Sequence, residues 1–157
     1  MKRTKFFYTG GGVLNALQHF SKEPFIIINP DTIWNLNHLE ELRNMEKEFF
    51  MNKRNKCFLL VVNKSKSFDQ SFKGDFNLKN NLITRNSTGD LKYIYTGIQI
   101  IKPDVFDHIT LKVFSINKIW DELIQNKTLF GKESNINFLH VSTISIYKSL
   151  LEKNFRH

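Results

Sequence analysis

The chain has one cysteine, Cys57, among its 157 residues, so no internal disulfide can form. Cys57 lies inside an apolar run, Cys57 to Val62, and reads as a buried thiol in a reducing, cytoplasmic setting. Long hydrophobic runs are also missing. Nothing approaches the ~20 residues of a membrane span, and the longest stretches, Phe25 to Ile28 and Cys57 to Val62, have the lengths of strands. Lys2 and Arg3 are not followed by an apolar core and a small-residue cleavage site, so an export signal is not expected. No histidine or cysteine pair has zinc-ligand spacing. A serine nucleophile elbow and a Cys–His arrangement are absent as well.

Acidic residues are in deficit, 15 against 23 lysines and arginines, giving a net charge of +8. Such a balance suits a polyanion or a polyphosphate. The lysines are scattered, however, with small clusters only at Lys2–Arg3, Lys53–Arg54 and Lys64 with Lys66. No run of five or six like charges occurs, and no RNP-type signature accompanies them. The charge therefore reads as a solvated surface, and nucleic acid is not an expected partner.

What the chain does contain is a globular composition, 41% hydrophobic and rich in phenylalanine. A length of 157 residues suits one domain burying roughly two-thirds of its unfolded surface. Strand-length and helix-length units alternate. After Gly10-Gly11-Gly12, the residues Val13, Leu14, Leu17 and Phe20 recur at helical spacing. Pro24 breaks that helix, and Phe25 to Ile28 reads as a strand buried on both faces, as in a parallel sheet. Asn37 is the expected N-cap of a helix carrying Leu39, Leu42, Met45 and Phe49, with Glu40 and Glu41 near its start. Phe58 to Val62 forms the next strand.

Further along, Gly74 to Leu78 and Leu82 to Thr84 flank a hairpin-like Lys79-Asn80-Asn81. Lys92 to Ile101 is strand-rich and interrupted by Gly97, where a side chain would block a close approach. Pro103 opens a short helix through Phe106, and Ser115 caps a helix bearing Ile116, Ile119, Trp120, Leu123 and Ile124. Gly131 closes that region. A last strand, Ile136 to Val141, leads to a C-terminal helix with Ile146, Leu150 and Leu151. No repeat or linker is visible, so the economical architecture is a single α/β domain.

Asp31 is the leading functional candidate. It lies just beyond the C-terminal end of a predicted strand, where open α/β sheets place ligands. A carboxylate there can hold Mg²⁺ against phosphate oxygens, because hard cations prefer oxygen ligands; the bland alternative is a turn aspartate after Pro30. Gly10, Gly11 and Gly12 could admit a nucleobase or phosphate at a helix N-terminus, or form a simple turn. They do not make a GxxxxGK[ST] loop. Gly74 and Gly97 permit close contact with a ligand or with the chain itself. His140 could reach a ligand from a strand end, or be a hydrogen-bonded, half-buried histidine. Trp34 and Trp120 read as core or pocket-wall residues.

In order, the segments TGGGVLNAL (Thr9 to Leu17), PFIIINPDTIW (Pro24 to Trp34), GDFNL (Gly74 to Leu78), YIYTGIQIIKPDVF (Tyr93 to Phe106), FSINKIWDELI (Phe114 to Ile124) and FLHVST (Phe138 to Thr143) resemble the sugar-1-phosphate nucleotidyltransferase family. The nearest branch is the N-acetylmuramate-1-phosphate uridylyltransferase and mannose-1-phosphate guanylyltransferase-like proteins. The resemblance implies a Rossmann-like sheet with flanking helices. It also implies a Mg²⁺-assisted reaction of UTP or GTP with a sugar-1-phosphate, giving an NDP-sugar and pyrophosphate. On this resemblance Asp31 is the catalytic metal anchor and Thr9, Gly10, Gly11 and Gly12 lie beside the nucleotide. Asn29, Gly74, Asp75, Thr96 and Gly97 would line the substrate side.

The resemblance also carries departures. His140 stands where many members have a second metal-binding aspartate, in a Trp-x-Asp-x-Gly-Thr pattern, and is the second candidate metal residue. Ser142 takes the glycine position of that pattern. Pro30 replaces a small residue, and Tyr8 stands where acidic residues are common. The GxGTRxxP loop and Lys-Pro segment of full-length relatives have no counterpart in Met1 to Phe7. The expectation is therefore an incomplete domain spanning residues 1–157, with its first strand–loop–helix missing. Such a chain would be defective alone or completed by another polypeptide supplying that segment. The alternative is a non-catalytic sugar-nucleotide-binding or polyanion-binding module.

Overall fold

The computed structural model describes residues 8–86 and 89–154. The Lys2–Arg3 cluster, the Met1 to Phe7 stretch and the terminal His157 lie outside the described residues. Six strands form one open sheet in the order β1-β5-β2-β6-β4-β3. They are β1 (Phe25–Ile28), β2 (Cys57–Asn63), β3 (Asn77–Lys79), β4 (Leu82–Thr84), β5 (Tyr93–Ile101) and β6 (Leu129–Glu133). Four helices flank them: α1 (Tyr8–Ala16), α2 (Asn37–Met51), α3 (Asn117–Gln125) and α4 (Ile144–Asn154). The architecture is the expected mixed α/β sheet of Rossmann-like character. Among the described residues, no helix is long and apolar enough to cross a membrane.

The central strand β2 has buried residues from Cys57 through Val62. Its two sides feed two cores. Leu59 and Val61 face a core closed by α1 and α3, with Ile119, Trp120 and Phe106. Phe58 and Leu60 face a second core under α2, with Met45, Phe49, Ile98 and Ile100. Complete burial of side chains of this size favours folding by about 1.5–3 kcal/mol each, which is why an apolar run at this position becomes the middle of the sheet.

Four expectations change. Phe25 to Ile28 is a strand, but not one buried on both faces in a parallel arrangement. It pairs antiparallel with β5, from Phe25↔Ile101 to Ile28↔Ile98, and among the described strands β5 is its only neighbour in the sheet order. Phe25 and Ile27 pack on the α1–α3 core, while Ile26 and Ile28 remain 43% and 50% exposed. Among the described strands, the one parallel pair is β2 with β6.

The cap of α2 is Asn35, not Asn37. The Asn35 Oδ1 accepts the Asn37 amide at 3.0 Å, and His38 Nδ1 accepts the Asn35 amide at 3.1 Å. That exchange is a capping box with histidine in the usual Glu/Gln position. Gly131 does not close a region but lies inside β6, where a Cβ would meet Ile83 and the Leu59 carbonyl at 2.8 Å. Ile136 to Val141 is not a continuous strand; it is extended chain held by single bridges, Ser67↔Phe138 and Thr32↔His140.

The hairpin is as expected: β3 and β4 pair antiparallel across Asn80 and Asn81, both with φ near +60° (51° and 62°). Two successive left-handed residues give the primed turn that matches strand twist, and asparagine tolerates that conformation better than most residues. Ser115 acts as expected, its hydroxyl accepting the Asn117 amide at 3.3 Å.

Candidate functional site

Beyond β1 the chain turns through Asn29-Pro30-Asp31 and is gripped on both sides. The Asn29 amide donates to the Gly97 carbonyl at 2.8 Å, and Trp34 Nε1 donates to the Asn29 carbonyl at 3.1 Å. Gly97 has φ +102°, and a Cβ there would lie 2.8 Å from the Asn29 Cβ. The β2–β5 register shifts between Leu59 and Val61, so Gly97 lies in a bulge that lets this turn close onto the sheet. Buried Thr32 donates its hydroxyl to the Thr96 carbonyl at 2.9 Å, and Thr96 in turn donates to the Leu60 carbonyl at 2.9 Å.

The extended 138–141 segment holds the other side. Around the Thr32–His140 bridge, the Ile33 amide donates to Leu139 and the Val141 amide to Asp31, both at 2.8 Å. The backbone of Asp31 is thereby fixed while its carboxylate, 48% exposed, stays open to solvent. Its Oδ2 lies 3.2 Å from His140 Nε2. The imidazole is held between Phe72 and Phe138, with ring centroids 5.5 Å and 5.6 Å away. His140 Nδ1 is buried without a hydrogen-bond partner.

Asp69 lies behind this pair. It accepts from the Ser71 hydroxyl and amide and from the Ser142 hydroxyl at 3.0 Å. The Ser71 hydroxyl most of all, then its amide, the Ser142 hydroxyl and the nearby His140, hold the Asp69 carboxyl below the ordinary carboxylate range against a small effect of burial. Asp69 and Phe72 did not stand out in the sequence, and Phe138 entered only as the first residue of the FLHVST segment. The only local signal was Asp69-Gln70-Ser71, the pattern of an Asx turn.

Of the residues expected to line a substrate, Asp75 is committed to the fold. Its Oδ2 accepts the Tyr95 amide at 2.9 Å, and its carbonyl accepts from Arg85 Nε at 3.1 Å. Gly74, at φ +87°, is pressed against the Leu91 carbonyl. The structure thus brings Asn29, Asp31, Thr96, Gly97 and His140 together, with Gly74 and Asp75 joined to them through β5. The Thr9 to Gly12 segment sits elsewhere, inside α1. The Gly11 amide donates to the Phe114 carbonyl at 3.1 Å, Gly10 is packed against the Phe114 ring, and Gly11 lies against the Lys112 carbonyl. Only Gly12, of these three, faces open space.

Beneath β5, Gln99 Oε1 accepts from both Trp120 Nε1 at 3.0 Å and Cys57 Sγ at 3.3 Å. Burial pushes the Cys57 thiol up, against opposing effects of Trp120 and the Phe58 amide. It likewise raises Tyr95 well above the phenol range. Two clefts of about 340 and 350 Å³ lie away from Asp31. One runs from Lys56 and Asp104 to His108 and Glu122, and the other from Arg54 and Lys79 to Lys127 and Phe130.

The donor set at Asp31 limits what it can hold. Among the described residues, no group of three or more His, Cys, Asp or Glu side chains is placed to bind a metal ion. Asp31 offers one exposed hard oxygen, which fits Mg²⁺ held by a single carboxylate together with substrate phosphates. His140 fits less well as a ligand, because a coordinating imidazole normally donates its other N–H to an acceptor, and Nδ1 faces none.

No protein-family model matches the sequence, and no curated protein matches it in sequence. Solved structures do match the fold. HddC from Yersinia pseudotuberculosis complexed with GMP-PN is 15% identical with a TM-score of 0.66 over 98% of this chain. UDP-glucose pyrophosphorylase complexed with UDP-glucose is 12% identical, with a TM-score of 0.70 over 99%. The inositol-1-phosphate CTP transferase from T. maritima is 12% identical, with a TM-score of 0.66 over 94%. The chain spans 65%, 65% and 60% of those three proteins, respectively.

Proposed function

We propose that the Asp31 centre serves nucleotidyl transfer between a nucleoside triphosphate, UTP or GTP, and a sugar-1-phosphate. The observation that carries this reading is the position of an exposed carboxylate on a rigid turn just past β1, in a sheet shared with solved nucleotidyltransferases. In the reaction, an oxygen of the sugar phosphate attacks the α-phosphorus in line. A new P–O bond forms, the bond to the β-phosphate bridging oxygen breaks, and its electron pair leaves with pyrophosphate.

Asp31 would hold Mg²⁺ through its free oxygen, and the bound ion would supply charge neutralisation on the phosphate oxygens. His140 Nε2, 3.2 Å from Oδ2, steadies that carboxylate, and the Val141 amide fixes the backbone carbonyl of Asp31. Asn29, Thr96 and Gly97 shape the adjoining wall, where a sugar phosphate would lie. Such chemistry depends mainly on positioning and electrostatics rather than on a protein nucleophile.

We also propose that efficient turnover uses a second polypeptide that supplies triphosphate-binding residues and pairs with the edge of β1 that no described strand covers. The exposed Ile26 and Ile28 on that edge strand support this reading. Pyrophosphate release from UTP or GTP, with a panel of sugar-1-phosphates and Mg²⁺, tests both parts. Robust turnover by the chain alone would overturn the need for a partner, and retention of that turnover in Asp31→Ala would reject the carboxylate.

A second reading is a sugar-nucleotide-binding module without catalysis, favoured by the single carboxylate available to a cation. Thermal stabilisation by UDP- or GDP-sugars with no pyrophosphate released under any combination would select it.

A further inference from the structure

We propose that His140 is a positioning residue that holds Asp31 and does not itself bind the cation, an inference that rests on the Asp31 reading above. The imidazole has two nitrogens in unequal surroundings. Nε2 lies 3.2 Å from Asp31 Oδ2, whereas Nδ1 is buried with no partner, in a ring flanked by Phe72 and Phe138. A buried N–H without an acceptor bears the full cost of desolvation. In the neutral ring the proton therefore belongs on Nε2, where it is donated to the carboxylate, and Nδ1 keeps its lone pair.

Coordination reverses that arrangement. To ligate through Nε2 the ring must move its proton to Nδ1, and the phenylalanine clamp offers that N–H nothing to bond. Coordination through Nδ1 fails because that atom is buried. The backbone enforces the same geometry, since the Thr32–His140 bridge and the Val141-to-Asp31 hydrogen bond fix both residues in register. Asp31 consequently keeps one oxygen, Oδ1, free, and a cation held there would draw further ligands from substrate phosphates and water.

Nitrogen-15 NMR of the histidine rings tests the assignment on the intact chain. The expected spectrum shows His140 protonated at Nε2 and bare at Nδ1, and it keeps this form when Mg²⁺ and UTP or GTP are added. Protonation at Nδ1, or a change at Nε2 of the kind metal coordination produces, would overturn the proposal.

Mn²⁺ affinity in the presence of the same nucleotides supplies the second readout. His140→Ala should weaken binding by about tenfold, as loss of a partner behind a ligand does. His140→Gln, which can still donate to Asp31, should recover most of it; failure of that rescue in a folded variant would count against positioning. If Asp31→Ala leaves Mn²⁺ binding unchanged, the nucleotidyl-transfer reading of Asp31 fails, while the ring spectrum still decides how His140 is protonated.

Discussion

The Asp31 turn and the glycine run of α1 invite opposite conclusions from similar starting points. Both read as halves of one ligand site. At Asp31, four stretches of chain meet: the end of β1, the bulge of β5, Phe72, and the 138–141 segment. They leave one charged group in the open. At Gly10 and Gly11 the missing side chains admit Phe114 and the Lys112 carbonyl, so those glycines serve helix packing. A glycine in a sequence says that something comes close; it does not say whether that something is a ligand or the protein itself.

The contrast is most easily broken at its charged end. Asp31→Ala should lower any nucleotidyl-transfer rate by at least about 100-fold, since metal positioning is worth several kcal/mol, with little change in melting temperature because the carboxylate is exposed. A large loss of stability with modest loss of activity would make Asp31 a structural residue.

Gly97→Ala should destabilise by about 2–4 kcal/mol in denaturant titration. It adds a left-handed backbone penalty to a clash with Asn29. Gly11→Ala should cost about 1–3 kcal/mol through overpacking on Lys112. Gly12→Ala, with open space around it, should stabilise by up to about 1 kcal/mol from helix propensity. If Gly12→Ala instead weakens nucleotide binding while the chain stays folded, the glycine run touches ligand after all.

The smallest effect expected is at the buried groups under β5. Burial raises both Cys57 and Tyr95, so each contributes stability that is intact below its unfolded value, near pH 8.5 and 10. That contribution declines as the pH climbs towards the higher folded values. Alkaline melting should therefore begin at lower pH in the wild type than in Tyr95→Phe. The substitution itself should be nearly neutral at pH 7, because the Tyr95 hydroxyl has no partner. Cys57 should resist thiol reagents until the chain is unfolded in urea.

Much of the fold was legible because local signals and tertiary demands agree. The hairpin asparagines, the Pro103 turn and the Cys57 to Val62 run each form what their chemistry favours. β6 was obscured because Leu129 to Glu133 offers only two large apolar residues, and its burial comes from β2 and β4 on either side. Ile136 to Val141 misled in the other direction, since its apolar residues anchor single bridges rather than a ladder. At the site, Asp31 was readable from its place after a strand. The Phe72–Phe138 clamp was not, because it joins segments far apart in sequence and neither aromatic differs from an ordinary core residue until the chain has folded.

The pairing of β1 with β5 also sets an order of events during synthesis. Phe25 finds its partner at Ile101, roughly 75 residues later, which at ordinary translation speeds of ~5–20 residues per second is a wait of about 4–15 s. Through that interval four consecutive large apolar residues emerge with no strand to dock on. Until β5 has been made, Phe25 to Ile28 is an apolar, unpaired segment of the kind that promotes aggregation.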